Sequence, residues 1–72
     1  MERFGEKLRS LRKQRGMTLK NLADELGFRS AGSVGDLESG RKKPSLEVAL
    51  QLSRLFGVSV DQLIKDELEI EV

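Results

Sequence analysis

The sequence predicts an all-α domain, a compact bundle of five short helices joined by short turns. Three observations predict it. Every long apolar-periodic stretch has helical spacing, and each is opened by a capping residue or closed by a glycine. The 72 residues, 38% of them hydrophobic, allow one small domain with one modest core.

Phe4, Leu8 and Leu11 fall at i, i+4 and i+7 on one stripe of a first helix. Arg3, Lys7, Arg9, Arg12, Lys13 and Arg15 occupy its remaining faces until Gly16 stops it, so its last turn is basic, as the helix dipole favours. Thr18 is a good N-cap for a second helix, Leu19 to Leu26, with Leu19, Leu22, Ala23 and Leu26 inward and Gly27 as the left-handed stop. A turn around Phe28 to Gly32 leads into a third helix, about Ala31 to Ser39, that carries Val34 and Leu37 inward and ends at Gly40. Its two glycines, Gly32 and Gly35, each cost about 1 kcal/mol relative to alanine, so packing must hold this helix.

Arg41, Lys42 and Lys43 form a basic loop before Pro44, and Ser45 with Glu47 marks a clear helix start. The fourth helix places Leu46, Ala49, Leu50, Ser53 and Phe56 near one side, and Gly57 followed by Val58 reads as a Schellman stop. Ser59 and Gln62 make a capping box for a fifth helix through Leu63 and Ile64. Residues 1–66 are thus read as the domain. Residues 67–72 alternate acidic and apolar side chains and form either a short strand able to act as a dimer arm or a frayed end.

Composition excludes several classes of chemistry. With no Cys and no His, a zinc site, a thiol nucleophile and an imidazole base are all unavailable, and no metal or cofactor is expected. Only three aromatics, all Phe, argue against the stacking platforms of single-strand and RNA binders. Glu38 and Asp36 are the acids nearest a cleft, without a base or nucleophile beside them, so no enzyme is expected. Apolar runs fall far short of the roughly 20 residues that span a bilayer, and a cysteine-free chain without a signal pattern is expected in the cytoplasm, away from membranes.

Charge is segregated. From Met1 to Lys43 there are 11 Lys or Arg against 6 Asp or Glu, a balance of +5; from Pro44 to Val72 the count is 2 against 6, a balance of −4, and the two sum to the net +1. The first part therefore offers a basic working face. Two short helices separated by a tight turn at Gly27 also match the helix-turn-helix pattern, in which one helix braces across a DNA backbone and the next lies in the major groove.

The strings Phe4-Gly5-Glu6-Lys7-Leu8-Arg9-Ser10-Leu11-Arg12, Gly16-Met17-Thr18, Leu22-Ala23-Asp24-Glu25-Leu26-Gly27, Leu37-Glu38-Ser39-Gly40-Arg41-Lys42-Lys43-Pro44-Ser45-Leu46 and Leu55-Phe56-Gly57-Val58-Ser59-Val60-Asp61-Gln62-Leu63 closely resemble the Cro/repressor-type (XRE-type) helix-turn-helix family of bacteria and phages. The resemblance runs from about Phe4 to Ile64 and implies a lambda-repressor-like DNA-binding domain. It further implies operator binding as a dimer, with phosphate contacts from Thr18, Leu19, Lys20, Arg29, Arg41, Lys42 and Lys43. The amides of Thr18 and Leu19, at a helix N-terminus, suit a phosphate.

The chain departs from the family pattern at two places. Leu19 occupies a position where the family usually has Gln, and the nine residues Phe28 to Asp36 between Gly27 and Leu37 are one more than usual. The places that resemble base-reading positions hold Ala31, Gly32 and Asp36, with Ser33 between them and Arg29 and Ser30 as further readers. None of the first three has the long amide or guanidinium that makes bidentate base contacts. Shape readout is therefore expected to carry a larger share of specificity. The resemblance also implies a structural ion pair between Arg12 and Glu38.

The first functional expectation is a sequence-preferring binder of double-stranded DNA, a transcriptional regulator acting as a dimeric repressor. Leu63, Ile64, Leu68, Ile70 and Val72 would supply the homodimer interface, as apolar groups beyond the needs of a small core. The alternative is a protein-interaction module of the same fold, whose small residues Ala31, Gly32, Ser33 and Gly35 admit close approach of a protein partner.

Overall fold

Local capping sets the helix boundaries. The computed structural model describes residues 1–70, in which five helices follow one another: α1 (Phe4–Gln14), α2 (Leu19–Leu26), α3 (Ala31–Ser39), α4 (Leu46–Phe56) and α5 (Val60–Ile64). The Thr18 hydroxyl accepts the Asn21 amide at the start of α2, and Ser45 does the same for Val48 at α4. At α5, Ser59 and Gln62 form the expected reciprocal capping box. Gly27, Gly40 and Gly57 end α2, α3 and α4 in the left-handed region, which a side chain would strain.

The core is drawn from every helix. Leu8, Leu22, Val34, Leu52 and Leu63 are its largest fully buried side chains, with Phe4, Leu11, Leu26, Leu37 and Phe56 around them. Close approach of α1 to the end of α3 depends on Gly5, because a Cβ there would collide with the Glu38 carbonyl.

On α4 the buried side differs from the expected one. Ala49, Leu52 and Phe56 face the core, while Leu46 is 73% and Leu50 40% exposed. The two candidate stripes lie about one residue apart on the helical wheel, and only packing against α5 and α2 chooses between them.

The last described residues form neither a strand nor a free end. Residues 67–70 turn back onto α1 and α5, and Ile70 packs against the core. Three charged groups hold this turn. Asp66 Oδ1 accepts the Arg3 amide at 2.9 Å and its Oδ2 the Glu2 amide at 3.0 Å, capping α1 from outside, where Arg3 itself provides no side-chain cap. The Arg3 guanidinium grips both carboxylate oxygens of Glu69, at 2.9 and 3.2 Å, and donates to the Asp66 carbonyl. Lys7, which the helical pattern assigns to the solvated basic face, is 4% exposed and donates to the main-chain oxygens of Gln62, Lys65 and Leu68. Those carbonyls lie at and beyond the C-terminal end of a five-residue helix, where main-chain oxygens lack intrahelical donors, and the Lys65 oxygen is shared with the Leu68 amide at 3.1 Å.

The surface expected for a dimer is thereby altered. Leu63 is fully buried in the chain's own core, and Ile64 and Ile70 pack against that core, whereas Leu68 is partly exposed. Val72 lies outside the described residues.

Candidate nucleic-acid interface

The α2–turn–α3 unit is built from short-range bonds. After Gly27 the Phe28 amide returns to the Ala23 carbonyl at 2.9 Å, which closes α2 and turns the chain. Ser30, extended at φ −144° and ψ 154°, then starts α3 without using its hydroxyl as a cap. Val34 and Leu37 anchor α3 to the core. Opposite them lie Gly32, Gly35 and Ser39, with Asp36 beside them, so the outward face of α3 is small and smooth.

Gly35 and Ser39 belong to this face; the residue pattern offers Gly35 only to a protein partner and does not single out Ser39. Counting in steps of 3.6 from Val34 and Leu37 identifies both. Ala31 and Ser33 sit at the two margins of the same face, partly covered, and Gly32 and Ser30 are exposed. The Ser39 hydroxyl turns inward to the Asp36 carbonyl at 3.2 Å.

Cations frame this helix. Arg29 is exposed just before its start, Arg41, Lys42 and Lys43 are exposed beyond its end, and Lys20 is exposed in the first turn of α2. The Lys42 amide donates to the Asp36 carbonyl at 3.2 Å, which folds the basic loop back along α3. Phe28, Ser33, Lys42, Lys43 and Ser45 consequently line one shallow hollow. Among the described residues Arg29, Arg41, Lys42 and Lys43 form no ion pair, so their charges are available to an anion. Lys20 pairs with Asp24 at 3.0 Å in an exposed i,i+4 bridge, worth little and easily exchanged.

At the start of α2 the structure differs from expectation at one atom. The Thr18 amide donates to Asn21 Oδ1 at 2.9 Å, completing a capping box, and so is already engaged. No acceptor is found among the described residues for the Leu19 amide. The Asn21 side chain decides this, because at N3 an amide oxygen can reach back to the cap as Gln or Glu does.

Behind the interface, Arg12 Nε lies 2.6 Å from Glu38 Oε2 and Nη2 3.2 Å from Oε1, a two-point pair with both side chains largely covered. Arg12 Nη1 also donates to the Met17 carbonyl at 2.9 Å. One guanidinium therefore joins the end of α1, the approach to α2 and the end of α3.

Comparison with known proteins is consistent with this geometry. A family model described as helix-turn-helix matches residues 8–63. The chain is 39% identical over 62 residues to the SPbeta prophage-derived uncharacterized HTH-type transcriptional regulator YonR of Bacillus subtilis, covering 86% of this chain and 56% of that protein. It is 40% identical over 60 residues to the HTH-type transcriptional regulator DdrOP3 of Deinococcus deserti, covering 83% and 46%. The chain thus spans about half the length of these curated relatives. Among solved structures, the N-terminal DNA binding domain of SinR from Bacillus subtilis has the same fold, with a TM-score of 0.80 at 24% identity over 96% of this chain and all of that one.

Proposed function

This chain belongs to the helix-turn-helix family, and from that premise we propose that it binds double-stranded DNA as a transcriptional regulator, placing α3 in the major groove. The observation that carries the reading is the set of exposed cations without an ion pair among the described residues, Arg29 before α3 and Arg41, Lys42 and Lys43 after it, around an outward face of small residues. The cations meet phosphates and fix the register, and the glycine face lets the α3 backbone approach the groove floor. The Leu19 amide, at the N-terminus of α2, adds a main-chain phosphate contact.

Sequence preference comes chiefly from shape, since Ala31, Gly32 and Ser33 carry no long reader. Asp36 accepts from a cytosine amino group, and Arg29 and Ser30 supply the remaining polar contacts. The regulator acts in the cytoplasm as a homodimer on a two-fold site, and repression follows from occupancy of that site. Its role is binding and involves no catalytic step. Among the described residues no helix is long and apolar enough to cross a membrane.

Titration of random duplex DNA against salt tests this. Affinity is expected to fall steeply with salt, and replacing Arg41, Lys42 and Lys43 together by alanine should reduce the log–log slope by about 0.9 for each phosphate they neutralise. Absence of binding at about 50 mM salt would overturn the reading and leave the protein-interaction module in its place.

A further inference from the structure

The outward face of α4 combines apolar exposure with a polar pattern that complements itself. Leu46 and Leu50 lie one turn apart and are among the few large apolar side chains left exposed. Glu47 and Arg54, seven positions apart, flank them on the same face. Both are exposed, and neither forms an ion pair among the described residues. The face is thus acidic towards its N-terminal end, basic towards its C-terminal end and apolar along one side.

We propose that a second copy of this chain docks on this face, with the two α4 helices antiparallel about a two-fold axis beside Leu50. In that arrangement Leu50 meets Leu50 of the second copy, and Leu46 covers the aliphatic stem of the second copy's Arg54. Glu47 of each copy comes beside Arg54 of the other, so the two ion pairs form together. A parallel arrangement would instead oppose like charges and is disfavoured.

The α5 and tail surface is the weaker candidate, because Leu63, Ile64 and Ile70 already serve the chain's own core. Two leucines and their flanks cover less than the ~800 Å² per partner of a standard interface, so association is weak in solution. The inference does not rest on the DNA-binding reading and is tested without DNA.

The chain contains no cysteine, so L50C introduces a single reporter thiol. Under mild oxidation the full 72-residue L50C chain is expected to form a disulfide dimer at least about tenfold faster than Q14C, an exposed control at the end of α1. Adding R54E should slow linking about tenfold, and adding E47R to that chain should restore it. All of these positions are exposed, so the fold is retained. Linking of L50C no faster than Q14C, failure of E47R to rescue R54E, or faster linking through L68C would overturn the proposal.

Discussion

The Lys7 ammonium lies 2.7 Å from the Gln62 main-chain oxygen, so a side chain from the first helix closes the last one. Its two further carbonyl partners, at Lys65 and Leu68, extend the closure into the terminal turn. Exchanging Lys7 for methionine keeps the stem but removes the ammonium from all three oxygens, of which the Lys65 oxygen retains the Leu68 amide. Destabilisation by about 2–4 kcal/mol is expected, read from the urea midpoint. A midpoint unchanged from the parent chain would mean that the carbonyls are satisfied by water.

Arg12 and Glu38 should behave as a unit. Either single alanine replacement strands the other charge in a largely covered site and is expected to cost about 3 kcal/mol. The double replacement should cost clearly less than the sum, because it leaves no stranded charge. Additive costs in a denaturation cycle would show that the pair contributes no coupling.

Two glycines should respond oppositely to alanine. At Gly5 the new Cβ meets the Glu38 carbonyl, so α1 and α3 must separate, at a cost of about 1–3 kcal/mol or more. At Gly35 nothing lies within 4 Å of the new Cβ, and the helix gains about 1 kcal/mol from better propensity. Gly35→Ala should nevertheless weaken duplex DNA binding, since it thickens the face assigned to the groove. Higher melting temperature with undiminished affinity would remove α3 from the contact.

Acid should loosen the terminal turn first. The Arg3 and Glu2 amides hold the Asp66 carboxyl below its ordinary pKa, and the Arg3 guanidinium does the same for Glu69. A depressed folded-state pKa contributes stability that is fully present above the unfolded value, near 4, and is lost as pH falls through the lower folded value. Melting temperature is therefore expected to decline below about pH 4. Asp66→Asn should lower stability at neutral pH and flatten that acid limb, which a pH series of thermal melts measures.

Much of the fold is legible in the sequence because its signals are local. Thr18, Ser45 and Ser59 each bond an amide three residues on, and Gly27, Gly40 and Gly57 each set one backbone angle, so helix ends at these places follow from neighbouring residues. The basic loop at Arg41 to Lys43 and the short helix before it are likewise visible as strings. The outward set on α3 is only partly read from the sequence: Val34 and Leu37 are placed inward and Gly35 is offered to a protein partner, but Ser39 is not assigned to the face. The engagement of the Thr18 amide by Asn21 is local too, yet it depends on which rotamer the amide side chain adopts.

Sequence alone determined five helices, their order and their stops, for caps and glycines act within a few residues of themselves. Tertiary structure decided what no neighbourhood contains: that Lys7 turns inward to carbonyls at least 55 positions away, that Asp66 caps the first helix, and that Leu46 and Leu50 face out while Leu52 faces in. A lysine stem is apolar and its head charged, so either surface or interior is open to it, and the choice falls to whichever main-chain carbonyls packing brings within reach.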